Sequence, residues 1–166
     1  PSPQRGSTKT KPTFTRKSQP RTLTKLISEC YSLNKDSYCN AKTALTRIAL
    51  ECALKYVVEN TEYETSNKLS DSDYFKNVFF NSDGSKKHFT DFKKLKNLFT
   101  QLIDNTGVRK AFENFDMEKT HQTIHNYNVG ATPADSIALC DNLIPILEFL
   151  LQNKDDLLSS LKKENL

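Results

Sequence analysis

Tryptophan is absent from this chain of 166 residues, methionine occurs once and glycine only four times. No stretch approaches the ~18 consecutive apolar residues that a membrane-spanning helix needs, so no membrane partner is expected. No Gly-rich loop precedes a Lys-Ser or Lys-Thr pair, which excludes the phosphate-loop nucleotide enzymes. Cys30, Cys39, Cys52 and Cys140 are scattered without a Cys-x-x-Cys pair. His88, His121 and His125 share no finger-like spacing with them, so neither a zinc module nor any other metal or cofactor is expected. Without a signal peptide, the expectation is free thiols in a reducing cytoplasm, with Cys52 and Cys140 serving as small hydrophobes on helix faces. Alternation with period two is also missing, which leaves little room for a sheet.

Acidic residues are absent from the first 21 positions, which hold Arg5, Lys9, Lys11, Arg16, Lys17 and Arg21. The net charge of +4 therefore resides there: the remaining 18 basic residues face 20 acids, a balance of about −2. Residues 1 to 20 also carry four prolines, Gly6 and many Ser and Thr, the composition of a flexible basic linker. The linker and the start on Pro1 lead to the expectation that the chain is the C-terminal piece of a longer protein. Any non-specific binding of nucleic acid is expected in this tail, since the rest gives no global electrostatic case for a phosphate backbone. A helical DNA-binding domain is disfavoured, because no helix-turn-helix or basic helix is recognisable.

What is present from residue 21 to 166 has the size and periodicity of one all-α domain, a compact bundle of about five to six helices. Leu23, Leu26, Ile27, Cys30 and Tyr31 repeat at three and four and predict a short helix ending near Asn34. Residues 41 to 59 predict a long central helix whose broad apolar face holds Leu45, Ile48, Ala49, Cys52, Ala53, Tyr56 and Val57. Residues 60 to 87 are polar and irregular, with a short helix begun by Asp71 or Ser72 and a turn at Asp83-Gly84. Thr90 is expected to cap the next helix and Gly107 to stop it. Helix then continues over residues 108 to 127 with a break near Phe115-Asp116. Thr132-Pro133-Ala134-Asp135 combines an N-cap, a proline at the first helical position and an acid at the third, so a capped helix begins there. Its inward stripe is Ile137, Cys140, Ile144, Leu147 and Leu151, and residues 155 to 166 fray or extend it.

Candidate chemistry gathers at the end of the helix before that capped one. His125 is followed by Asn126 and Tyr127, and Lys119 stands six residues earlier. Histidine is the side chain whose ordinary charge change falls near neutrality, which general acid–base work on a ribose hydroxyl requires, and a nearby cation would stabilise charge on phosphorus. The bland alternative is a helix-end histidine bonded to a carbonyl or to Asp141. His121, one turn before His125, completes an i, i+4 pair for which no third metal ligand is in view. Arg47 and Glu51 lie one turn apart on the central helix, where they form either an internal ion pair or the cation end of a site. Pro145 removes the donor that would meet the Asp141 carbonyl.

The segment from His125 through Thr132-Pro133, the Arg47-Ile-Ala-Leu-Glu51 turn, Arg21 to Leu33 and Asp141-Asn-Leu-Ile-Pro145 together resemble HEPN domains. More narrowly, they resemble the C-terminal HEPN-like modules joined to ParB-like or other nuclease parts of bacterial defence proteins. The resemblance implies an anti-phage module that binds RNA and, in catalytic members, cuts it without metal, usually as a homodimer with two motifs facing one cleft. It assigns His125 the central role, with Lys119, Arg47 and Asn126 assisting. Where the family carries Arg before its His, this chain has Lys119, which supplies charge without the planar fork that grips two phosphate oxygens. The other reading is a non-catalytic module that dimerises or docks onto a larger protein.

Overall fold

In a computed structural model the described residues are 9–14, 19–63, 67–87 and 91–162. They form eight α-helices: α1 (Arg21–Ser32), α2 (Cys39–Asn60), α3 (Asp73–Phe79), α4 (Phe92–Leu102), α5 (Thr106–Asn114), α6 (Met117–His125), α7 (Pro133–Leu150) and α8 (Lys154–Ser159). A two-residue antiparallel ribbon, β1 (Glu62–Tyr63) with β2 (Asn67–Lys68), pairs Glu62 with Lys68 and leads into one 3-10 turn over Leu69–Asp71. The architecture is an all-helical bundle. No helix among the described residues is long and apolar enough to cross a membrane.

The bundle is built on α2 and α7, which pack against each other and carry the helices around them. In α2 the buried positions are Lys42, Thr43, Thr46, Ala49, Leu50, Ala53, Leu54, Val57 and Val58, two adjacent rows rather than one narrow stripe. Ile48 is 42% exposed and Cys52 is also exposed, contrary to the face expected from the sequence. The face is rotated because two threonines go inside. Thr46 does so without an unmet donor, its hydroxyl donating to the Thr43 carbonyl at 2.7 Å. In α7 Leu139, Leu143, Ile146, Leu147 and Leu150 are buried together with Cys140 and Ile144. The inward surface is thus wider than the anticipated stripe, and its first member, Ile137, is only half-buried. Each fully buried leucine contributes roughly 1.5–3 kcal/mol through removal of apolar surface from water.

Local signals set most helix ends. Thr132 and Asp135 form the complete capping box, hydroxyl to backbone and carboxylate to backbone, with Pro133 at the first turn. The break at Phe115-Asp116 separates α5 from α6, and Asp116 caps α6 by accepting from the Lys119 amide at 2.8 Å. Gly84 sits in the Asp83-Gly84 turn at φ +83°, the left-handed region where a side chain would be strained. Three boundaries differ from expectation. Thr90 lies outside the described residues, as does His88, and Asp91 caps α4 by accepting from the Lys94 amide at 3.1 Å. Gly107 stops nothing; it is the second residue of α5, which Asn105 caps. The last helix does not run on past residue 155 but ends at Leu150, and Asn153 caps a separate α8.

The proline in α7 does not end the helix, which continues from Pro133 to Leu150 around Pro145. Residues 9–14 lie irregularly on the bundle, where Lys9 and Thr13 both bond the Glu148 carboxylate, at 2.8 and 3.0 Å, and Phe14 packs on the core.

Candidate functional site

The turn between α6 and α7 is held from two sides. On one side it docks on the start of α2, where the Asn40 side chain accepts from the Ala131 amide at 2.6 Å and the Cys39 thiol donates to the Ala131 carbonyl at 3.0 Å. On the other, the Lys119 ammonium bonds the Gly130 carbonyl at 3.3 Å and the Asp135 carboxylate at 3.0 Å. Lys119 therefore clamps the turn to the first turn of α7. The Asp135 carboxyl is held below its ordinary acidity range by the Thr132 amide, then by Lys119 and the Thr132 hydroxyl. A cleft of about 110 Å³ lies beside this clamp, lined by Asn114, Asp116, Lys119, Asp135, Leu139 and Asn142.

Asn126 is likewise occupied with the backbone. Its side-chain oxygen accepts from the Asn128 amide at 3.0 Å, its amide group donates to Gln122 at 3.1 Å, and its own N–H continues the helix to the Gln122 carbonyl. Such an Asx turn directs the chain out of α6 and back toward α2. Arg47 lies elsewhere, its guanidinium 5.3 Å from the centre of the Phe92 ring at the start of α4. Glu51, expected as its ion-pair partner, instead pairs with Lys55 at 2.6 Å.

His125 is different. It is exposed, and among the described residues its only side-chain partner is His121, ring centres 4.6 Å apart. No bond to Asp141 is formed, and the hydroxyl that reaches this part of α7 is Tyr31, donating at 2.8 Å to the Cys140 carbonyl one residue earlier. His125 and Lys119 are on the same helix but not the same face: six residues at about 100° each leave them roughly 120° apart. The structure thus brings His121 and His125 together and directs Lys119, Arg47 and Asn126 to other contacts.

Tyr127, two residues beyond His125, is 98% exposed, and Ile124 is 40% exposed. Tyr38, 57% exposed, is the residue before α2, next to Cys39, which bonds the Ala131 carbonyl. One end of the bundle consequently displays two tyrosines, two histidines and an isoleucine. The position of His125 at a helix end was readable in the sequence; the neighbouring Tyr38 was not, since it arrives through a contact spanning about ninety residues. No group of three or more His, Cys, Asp or Glu among the described residues is placed to hold a metal ion.

No family model, curated protein or solved structure matches this chain.

Proposed function

We propose that the chain is a HEPN-like module of a bacterial anti-phage protein that binds single-stranded RNA at the exposed end of α6 and cuts it without metal. The observation that supports this reading is the unpartnered His121–His125 pair beside the fully exposed Tyr127. Adjacent imidazoles supply a base for a ribose 2′-hydroxyl and an acid for the leaving oxygen, while an exposed aromatic ring offers a stacking platform of about 1–3 kcal/mol per base. Lys119 serves this site by fixing the turn behind it, not as the cation on phosphorus.

The test uses labelled single-stranded RNA in EDTA with the wild-type chain, His125→Ala and Tyr127→Ala. Cleavage that His125→Ala abolishes and Tyr127→Ala weakens about tenfold is the expected result. Binding without cleavage would leave an RNA-binding module. If the chain neither binds nor cuts, the RNA reading fails.

A second reading, a non-catalytic dimerisation or docking module, is favoured by one specific observation: the two cations that could meet a phosphate, Lys119 and Arg47, are engaged with Asp135 and Phe92. It requires self-association or binding to the rest of a larger protein, which sedimentation of the chain alone and of a longer chain distinguishes.

A further inference from the structure

Residues 9–14 run beside α1, and a cavity of about 390 Å³ lies between the two. None of its lining residues belongs to the site proposed for RNA. Both of its walls are held in place. On the segment's side, Lys9 and Thr13 bond the Glu148 carboxylate of α7 at 2.8 and 3.0 Å, and Pro12 is buried. On the side of α1, Ile27 is 2% exposed, and the Tyr31 hydroxyl donates to the Cys140 carbonyl at 2.8 Å, which fixes its ring. The cavity is therefore formed before any ligand arrives, and little ordering remains to oppose binding.

The lining divides by chemistry. Pro12, Phe14, Ile27 and Tyr31 supply apolar surface, two of them through aromatic rings. Thr10, Lys11, Ser28 and Ser32 supply hydroxyls and one ammonium, and no carboxylate lines the cavity. Ser32 donates to the Glu29 carbonyl at 3.2 Å, whereas Thr10, Lys11 and Ser28 have no side-chain hydrogen bond or ion pair among the described residues. Glu29, the acid beside Ser28 in sequence, pairs with Lys25 at 3.9 Å.

We propose that this cavity binds a small aromatic monocarboxylate, with the ring against Phe14, Ile27 and Tyr31 and the carboxylate on Lys11. Pockets for small molecules run from about 300 to 1,000 Å³, so a volume of about 390 Å³ suits one or two rings. Aromatic walls favour an aromatic guest, which packs against them offset or edge-on. One ammonium with hydroxyl donors beside it balances a single negative charge. A phosphate dianion would keep part of its charge uncompensated, and a neutral ring would gain nothing from Lys11. The binding is non-covalent, and it stands independently of the RNA reading.

The experiment titrates the 166-residue chain by calorimetry with four probes: indole-3-acetate, indole, acetate and 1-naphthyl phosphate. They carry ring and carboxylate together, the ring alone, the carboxylate alone, and a ring with a dianion. The expected result is a Kd on the order of 0.1 mM for indole-3-acetate, with each of the other three at least about tenfold weaker. Lys11→Gln should weaken indole-3-acetate about tenfold and leave indole unchanged, which isolates the charge pair. Ser28→Phe fills the cavity from an exposed position and should abolish binding of both. In parallel, isoleucine methyl resonances of the wild-type chain are followed, and the Ile27 signal is expected to move most. Indole or naphthyl phosphate binding as tightly as indole-3-acetate overturns the proposal, as does undiminished affinity in Ser28→Phe. No binding at millimolar probe, or saturation that leaves the Ile27 methyl unmoved, overturns it equally. Since the probe series and the methyl map need no variant, a failure of either substitution to fold leaves the test intact.

Discussion

Two lysines are buried among the described residues, and they are not equivalent. Lys42, 6% exposed, meets three carbonyls at the negative end of a helix, which offsets the loss of water around its charge. Lys96, 5% exposed on the inner side of α4, has no such set; burial pushes its ammonium below its ordinary value, with only a partial counterweight from Glu113. A lysine whose acidity is shifted this way costs stability while it is charged, and the cost disappears once pH rises past the ordinary value of 10.5, where the amine is neutral folded or unfolded. Lys96→Met is therefore expected to raise unfolding free energy by about 1 kcal/mol at pH 7, with the gain shrinking as pH rises toward 10.5. Urea titrations at pH 7 and pH 10.5 measure it; a loss of stability at pH 7 would show that the ammonium is better satisfied than its burial implies. The same contrast explains what the sequence could convey about the site. That His125 ends a helix is a local property, readable from Asn126 and the capped segment after it. Whether Lys119 or Arg47 is free to meet a phosphate depends on Asp135, Gly130 and Phe92, whose proximity only the fold creates.

At the level of elements, the legible features were those written within four or five residues. The capping box of α7, the break between α5 and α6 and the Asp83-Gly84 turn all follow from short-range hydrogen bonds or backbone sterics. The start of α4 was harder to read because Thr90 and Asp91 are both good caps, and the end of α7 because Leu151 is as buried as the leucines before it. The α7 cap also has a tertiary consequence, since Asp135 closes the box and receives Lys119 at once. Thr132→Ala removes the hydroxyl that accepts from the Asp135 amide and is expected to cost about 1 kcal/mol, near the middle of the range for lost N-caps. Thr132→Ser keeps the acceptor and should recover most of that loss in the same chemical denaturation. Equal stability of the alanine and serine variants would mean that Pro133 and the Lys119 clamp fix the turn without the box.

For the whole molecule, the question is what unites helices from opposite ends of the sequence. Four phenylalanines form a chain across the core: Phe75 of α3 to Phe99 of α4 at 6.4 Å, Phe99 to Phe112 of α5 at 6.1 Å, and Phe112 to Phe149 of α7 at 6.5 Å between ring centres. Periodicity in the sequence carries no information about which ring another helix will meet. Phe99 is fully buried with a ring on either side, whereas Phe149 is at the end of the row of rings and 8% exposed. Phe99→Ala is expected to cost about 3–5 kcal/mol, a large share of the roughly 5–15 kcal/mol that holds a domain folded. Phe149→Ala should cost less, because the edge of the core can relax into the space. The comparison is made by thermal and urea unfolding of both variants, with the slope of the urea transition checked for loss of two-state behaviour. A smaller loss for Phe99→Ala than for Phe149→Ala would overturn the view that α3, α4, α5 and α7 are joined through one aromatic centre, and would place the stabilising contact instead in the aliphatic seam between α2 and α7.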